Sequence, residues 1–207
     1  MGRPPGSRNP DYEQRRHALA LRVAWALSGG EGRSATLAAL ARVAGVSVPT
    51  LRHYFGDLDG VVEAALDAAR VNAERYLETS RDPGALALEP SMRRVGMGLI
   101  EAWQEGLGRL FEGALSQGLG HTQRGPSVVN HLLEPSIQAI ETRLSIHRTR
   151  GELHPDADLR SASVAFLSPI LLGMLHQHEL GGHACRPLDA EAFFEQHLAA
   201  WVRGWGG

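Results

Sequence analysis

The side chains best suited to bind another molecule lie within residues 48–53, where small, hydroxyl-bearing and cationic groups follow one another. Thr50 can donate to a phosphate oxygen, Arg52 can bind phosphate or guanine, and Val48 can contact a thymine methyl group. Helical spacing places five side chains outward: Val48, Pro49, Thr50, Arg52 and His53. Together they predict a surface that reads DNA, although each one taken singly is equally compatible with an ordinary solvated position.

Two short helices joined by a tight turn are needed to hold that surface. The spacing predicts helices over about 37–44 and 48–55. In a helix-turn-helix, one position of the first helix must be small and the turn must tolerate positive φ, and Ala41 and Gly45 meet these needs. Ser47 is the predicted N-cap of the second helix. The residues expected to lie between the helices are Leu40, Ala44, Val46, Leu51 and Tyr54. An ordinary helical corner is the alternative.

This stretch resembles a known DNA-binding segment. Residues 36–55 contain Leu-Ala-Arg-Val-Ala-Gly-Val-Ser and then Thr-Leu-Arg-His-Tyr-Phe, followed by Gly-Asp-Leu-Asp and a long helix, and they are similar to the TetR family of bacterial transcriptional regulators. A weaker similarity covers residues 151–158 and the last two helices. The resemblance implies an all-α homodimer that dimerises through the last two helices, reads a palindromic operator with three N-terminal helices and binds a small-molecule effector in its C-terminal region.

The resemblance also assigns positions. It implies that seven residues face DNA, with the first and last of them toward phosphate: Thr36, Ser47, Val48, Pro49, Thr50, His53 and Tyr54. Leu58 stands where the family commonly has a lysine beside the phosphate backbone, and Arg52 replaces a frequent aromatic residue. In the first helix, Trp25 and Leu27 both compete for the position where the family usually buries a phenylalanine.

The N-terminal arm, residues 2–8, contains Gly-Arg-Pro, which resembles the core of arms that bind the DNA minor groove. Arg3 is predicted to enter a narrow A·T-rich groove, where the negative potential is enhanced. A tail without a partner is the alternative.

The charge is divided unevenly along the chain. All 21 basic residues are arginines, and residues 1–56 hold eight of them against three acids, a net charge of +5. Residues 57–207 carry −7. The basic front favours contact with a polyanion, and a solvated arginine-rich surface is the alternative.

The pattern over the whole chain predicts an all-α fold, because no run of β-branched or aromatic residues alternates with period two. Residues 1–56 are predicted to form a DNA-binding domain with an N-terminal arm, and residues 57–207 an effector-binding and dimerisation domain. Further helices are expected over about 58–81, 91–119, 127–149, 156–180 and 189–203.

The predicted helix over 91–119 is interrupted by Gly96, Gly98, Gly106, Gly108 and Gly113, each of which weakens a helix by up to about 1 kcal/mol relative to alanine. Close helix packing is one explanation, and room for a small molecule is the other. For the second case, the predicted cavity wall consists of Trp103, Leu107, Leu110 and Phe111.

Several classes of function are disfavoured. The sequence has no nucleotide-binding glycine loop and no convincing catalytic triad, so we expect neither an enzyme nor a cofactor. His176, His178, His183 and Cys185 do not have the spacing of a metal site, because the first two point to different sides of a helix. The apolar run over 164–175 is shorter than the roughly 20 residues that span a membrane, and we expect a cytoplasmic protein.

The functional prediction is therefore a ligand-responsive regulator, most simply a repressor, that binds an operator in double-stranded DNA. The alternative is a helical small-molecule-binding protein or enzyme of the same architecture without DNA binding.

Overall fold

A computed structural model describes residues 10–28 and 35–207 as an all-α protein, which confirms the predicted fold class. In chain order the helices are α1 (Pro10–Leu27), α2 (Leu37–Val43), α3 (Val48–Phe55), α4 (Leu58–Asn72), α5 (Glu74–Arg81), α6 (Leu88–Ala102), α7 (Gly108–Gly118), α8 (Arg124–Val128), α9 (Glu134–Thr149), α10 (Leu159–Met174), α11 (Gly182–Cys185) and α12 (Ala190–Trp205). Single π-helical turns extend α8 and α10 over Val129–Leu133 and Leu175–Glu179, whereas Trp103–Leu107 joins α6 to α7 across a kink at Gly106, which has φ +128. Arg3 and the rest of the predicted N-terminal arm lie outside the described residues.

Helices α1 to α3 form a front bundle around a small apolar core. Leu19, Val23 and Leu51 are almost completely buried there, and the same core continues into the first half of α4. Leu27 is 1% exposed whereas Trp25 is 68% exposed. The buried position of the first helix therefore belongs to Leu27, and the Trp25 indole lies on the surface.

Helices α5 to α12 form a rear bundle with its own core. Met92, Leu144, Phe166, Phe194 and Leu198 are all fully buried in it. Because a side chain of this size stabilises the fold by about 1.5–3 kcal/mol when buried, this cluster supplies much of the stability of the rear bundle.

The glycines of α6 and α7 have two different roles. A Cβ at Gly96 would lie 2.2 Å from the Phe194 ring, and a Cβ at Gly113 would lie 2.0 Å from the carbonyl oxygen of Leu27. Both glycines therefore permit close helix packing, and Gly113 joins α7 to the end of α1. At Gly98 a Cβ would meet no heavy atom within 4 Å, so that glycine faces open space.

Helix α10 and its π turn form the longest apolar segment of the rear bundle. Among the described residues, this segment, Leu159–Glu179, is the one long and apolar enough to cross a membrane by length and composition. One side of it packs into the rear core through Ala162, Phe166 and Ile170. Only this side of the helix belongs to the core, whereas Val164 and Leu172 are exposed, and the apolar segment is longer than the sequence pattern predicted.

Candidate nucleic-acid interface

Helices α2 and α3 form the predicted helix-turn-helix. Gly45 has φ +68, in the region that favours glycine, and a Cβ there would meet no heavy atom within 4 Å. Ala41 is 3% exposed and lies where α2 meets the front core. The turn chemistry and the small first-helix position predicted from the sequence are therefore confirmed.

Two side-chain caps fix the starts of these helices. The Thr36 hydroxyl oxygen accepts the Ala39 N–H at 3.2 Å, and the Ser47 hydroxyl oxygen accepts the Thr50 N–H at 3.2 Å. The Ser47 and Thr50 hydroxyls also lie 2.8 Å apart, within hydrogen-bond distance. The cap stabilises the first turn of α3. In helix-turn-helix proteins, the corresponding turn of the second helix approaches base pairs first.

The side chains of α3 divide only in part as the sequence predicted. Pro49, Arg52 and His53 are exposed, whereas Val48 and Thr50 are half-buried. Two of the residues expected between the helices, Val46 and Tyr54, are also only half-buried. We call the surface formed by Val48, Pro49, Thr50, Arg52 and His53 the recognition surface.

An aromatic cluster supports the C-terminal half of α3. The rings of Tyr12 and Tyr54 lie 4.9 Å apart at 31°, and the His53 ring lies 5.3 Å from the Tyr54 ring. The Arg16 guanidinium lies 5.3 Å from the centroid of the Phe55 ring, a cation–π contact. Sequence reasoning missed the α1 residues Tyr12 and Arg16. The spacing of Tyr12 and Arg16, one helical turn apart, was the available signal.

The junction between α3 and α4 is tight. The Asp57 carboxylate accepts the Gly60 N–H at 3.0 Å, and a Cβ at Gly60 would lie 2.1 Å from the carbonyl oxygen of Phe55. Leu58 packs against the front core and against a second apolar cluster shared with the rear bundle. This position is therefore occupied by a packing residue, and α3 and α4 meet closely at Gly60.

A cavity of about 710 Å³ lies between α1, α4, α5, α6 and α9. Leu107 and Leu110 line it, as predicted. Trp103 and Phe111 do not, which corrects the predicted wall: they are 2% and 8% exposed, and their rings pack against each other in the rear core at 5.3 Å. Periodicity identified the apolar residues of this segment but not which of its sides faces the core.

Solved structures with this arrangement of helices come from several bacteria. A TetR-family transcriptional regulator from Mesorhizobium loti is 13% identical, covers 96% of this chain over 100% of its own length and superposes with a TM-score of 0.76. A second such regulator, from Rhodococcus, is 21% identical. The match covers 92% of this chain and 97% of the other, with a TM-score of 0.65. The chain has the TetR-family fold.

SmeT from Stenotrophomonas maltophilia, the repressor of the multidrug efflux pump SmeDEF, shares this TetR-family fold at 16% identity, with coverages of 95% and 93% and a TM-score of 0.63. No protein-family model matches the sequence, and no curated protein is similar to it in sequence. Because the identities are so low, the likeness establishes the architecture of both bundles and not their ligands.

One buried polar network in this TetR-family fold has the geometry of a serine–histidine–acid triad. The Ser91 hydroxyl lies 2.8 Å from Nε2 of His147, whose Nδ1 lies 2.7 Å from the Glu152 carboxylate. Ser91 and His147 are 0% exposed, so the hydroxyl is buried and not open to solvent. The network joins α6 to α9 and to the turn that follows α9.

The same network contains Arg143, which is 1% exposed. Its guanidinium donates to the carbonyl oxygens of Thr79, Ser80 and Asp82 at 2.6–2.7 Å and also to Ser91. Burial lowers the pKa of Arg143 to about 10. Since the free carbonyls at a helix C-terminus attract cations, Arg143 serves to end α5 and anchor it to α9.

The four residues considered for a metal do not form a site. Among residues 10–28 and 35–207, no group of three histidine, cysteine or acidic side chains is placed to hold an ion. Nδ1 of His183 lies 3.0 Å from the carbonyl oxygen of Gln177, and Cys185 is exposed.

Proposed function

We propose that this protein is a ligand-responsive transcriptional regulator of bacterial type, acting as a homodimer on a palindromic DNA operator. The observation that carries the proposal is the recognition surface, held outward on α3 by the Ser47 cap and the Gly45 turn. It combines exposed cationic and polar groups with a small first turn, which suits entry into a major groove. Repression and a cytoplasmic location belong to the same proposal.

The residues that the proposal assigns to DNA are those predicted from the sequence. Arg52 and His53 are exposed and free to reach base edges or phosphates, and Thr36 begins α2 on the surface. The Tyr54 ring stacks on Tyr12, which positions it rather than leaving it mobile. Arg3 would add a minor-groove contact.

Dimerisation would use α10 and α12. Exposed residues of α10 recur every three or four positions and form one stripe: Ser161, Val164, Ser168 and Leu172. Exposed residues on α12 are mostly small, among them Ala192, Ala199 and Ala200. Two such pairs of helices can approach closely. To read both half-sites, the dimer must hold the two α3 helices about 34–36 Å apart, one turn of DNA.

Effector binding would act through α4. Leu66 and Ala69 of α4 line the cavity, and the start of the same helix is locked to α3 at Gly60. A ligand that shifts α4 would therefore change the separation of the two recognition surfaces. Coupling of this kind is usually about 1–3 kcal/mol and is reciprocal, so the operator should weaken effector binding equally.

The decisive experiment is the selection of bound sequences from a pool of random duplexes, using the full-length chain. We expect a palindromic consensus that disappears in the Thr50→Ala and Arg52→Ala variants. Retention of the same consensus in both variants would contradict the assignment of the recognition surface.

The second candidate is a helical small-molecule-binding protein without a DNA role, with residues 57–207 alone functional. Leu58 favours it, because an apolar side chain stands where the resemblance implies a phosphate contact. Salt dependence distinguishes the two candidates. For a DNA binder, the logarithm of the affinity falls linearly with the logarithm of the salt concentration, with a slope set by the number of phosphates neutralised. No retardation of any duplex at low salt would favour the second candidate.

A further inference from the structure

The ligand cavity is not confined to the rear bundle. Its wall includes one side of α1, formed by Leu21, Ala24, Trp25 and Ser28. Trp25 is 68% exposed, and Tyr76 of α5, also on the wall, is 60% exposed. Two large aromatic surfaces therefore border the same cavity and remain in contact with water. A planar ring that packs against either one would bury apolar area and gain favourable ring contacts.

The charges on the wall are separated along α6. Arg94 lies on the wall in the middle of α6, Glu101 lies about 10 Å further along the helix axis, and Glu105 lies just beyond the end of α6. Arg94, Glu101 and Glu105 are exposed, and in the described part of the chain no ion pair involves any of them. The cavity thus has a cationic end and an acidic end.

The cationic end carries more positive charge than Arg94 alone. Arg143 also lines the cavity, and its guanidinium donates to carbonyl and hydroxyl oxygens rather than to a carboxylate. The Arg94 charge opposes that of Arg143 and acts with burial to lower the pKa of Arg143. An anion bound at Arg94 would relieve this repulsion, since an opposite charge favours the charged form of both groups.

The anion that fits this end carries a single charge. Residues 57–207 have a net charge of −7, which would repel a multiply charged ligand. A ligand with one anionic group on an apolar ring system would contact Arg94 with the least electrostatic repulsion. The donors of Arg143 are already engaged, so Arg94 is the side chain with N–H groups to offer.

We propose that the cavity binds an aromatic monoanion, with its anionic group at Arg94 and its ring system against Trp25 of α1. The ligand would then contact the front and the rear bundles at once. This inference deepens the regulator function proposed above. Its consequence, that ligand binding would displace α1 as well as α4, rests on that function.

The test uses the full-length chain without DNA and two fluorescent probes that share one ring system. Anilinonaphthalene sulfonate carries the anion, and phenyl naphthylamine lacks it. We expect the sulfonate to bind about 10-fold more tightly than phenyl naphthylamine, because one charge-assisted hydrogen bond contributes about this factor to affinity. Arg94→Gln should remove that preference, and the matched variant Glu101→Gln should keep it. Equal affinities of the two probes for the wild-type chain would overturn the anionic half of the proposal.

The contact with α1 is tested by tryptophan emission. Trp25→Phe should weaken both probes by about 2- to 12-fold, the range of an aromatic pair, and remove most of the probe-dependent quenching. Trp205→Phe is the matched control, because Trp205 packs at the rear core and does not line the cavity. Quenching that survives unchanged in Trp25→Phe would overturn the contact with α1.

A third variant shows that the probes occupy this cavity. Gly98 lines the wall and a side chain there meets open space, so Gly98→Phe should fill the cavity without disturbing the helix. We expect this variant to lose both probes while its circular dichroism melt stays cooperative. Undiminished probe binding would overturn the proposal. None of these measurements involves an operator, so a failure here is distinct from a failure to bind DNA.

Discussion

At the scale of single residues, the polar groups of this protein divide into those that hold the chain and those that are free to act. Ser47 and Thr36 use their hydroxyl oxygens to cap helices, whereas Arg52 projects from α3 with an exposed guanidinium. Under the proposed function, the caps would affect DNA binding through the geometry of α2 and α3. Arg52 would act through direct contact.

Arg52→Ala should weaken binding of the selected operator. If the guanidinium reads guanine, the loss is about 1–3 kcal/mol for each half-site, and the preference at one base pair relaxes. If it binds phosphate, the loss is uniform across sequences and the slope of log affinity against log salt falls by about 1 for each subunit. Retardation assays at three or more salt concentrations distinguish the two. Arg148→Ala, at an exposed position on α9, is the control and should leave both quantities unchanged.

The pH dependence of stability should report on His147. Burial lowers the pKa of His147, against the opposing effect of its hydrogen bond to Glu152. The folded chain thus keeps this ring neutral at pH values where the unfolded chain binds a proton. The contribution of His147 to the free energy of unfolding is complete above about pH 6.5, the ordinary histidine pKa. Below that pH it declines by up to about 1.4 kcal/mol for each pH unit.

Urea unfolding at several pH values between 5 and 8 measures this decline. His147→Gln should be less stable by about 1–3 kcal/mol at neutral pH, because a buried hydrogen-bonded group is lost. The variant should also show a flatter dependence between pH 5 and 6.5. The same slope in both proteins would mean that other groups cause the decline.

At the scale of helices, α6 and α7 show what a sequence pattern can and cannot predict. The Gly45 turn and the Ser47 cap were predictable because the backbone of a tight turn and the first N–H groups of a helix depend on neighbouring residues alone. The orientation of the residues that follow α6 was not predictable. Trp103 and Leu107 are both apolar, and only tertiary packing decides which of them faces the cavity. The π turns escaped prediction for the same reason.

Two glycines of this segment give a matched pair of substitutions. Gly98→Ala should raise the free energy of unfolding by up to about 1 kcal/mol, because alanine favours the helix and its Cβ meets open space. Gly113→Ala should lower it by about 1–3 kcal/mol, because the Cβ would collide with the backbone of Leu27. Urea denaturation with linear extrapolation measures both changes. Equal effects at the two positions would show that α7 can move away from α1 without cost.

At the scale of the whole molecule, the front core, the rear core and α4 form a continuous path. The front core includes Val61 and Ala65 of α4, and Leu66 of the same helix packs in a cluster with Ala114 of α7. The predicted boundary near residue 56 therefore does not fall where packing stops. Helix α4 thus belongs to the front core and to this small cluster, and Leu115 and Leu132 pack against both the cluster and the rear core.

The proposed dimer makes a prediction at this scale. Val164 on α10 is 38% exposed and lies in the stripe assigned to the partner subunit, whereas Val71 at the end of α4 is 46% exposed and lies elsewhere. Val164→Arg should yield monomers, because an arginine in the centre of an interface is costly to desolvate. Val71→Arg should remain dimeric. Sedimentation velocity measures both, and the monomeric variant should also lose binding to the palindrome. A dimeric Val164→Arg variant would place the interface elsewhere.

Cys185 is the single cysteine of the sequence, and its thiol is exposed on α11. A nitroxide or a dye can therefore be attached to the wild-type chain at one defined position, without first removing other thiols. In a homodimer, the distance between the two labels could be measured in solution with and without a cavity ligand. A change in that distance would report the relative motion of the subunits.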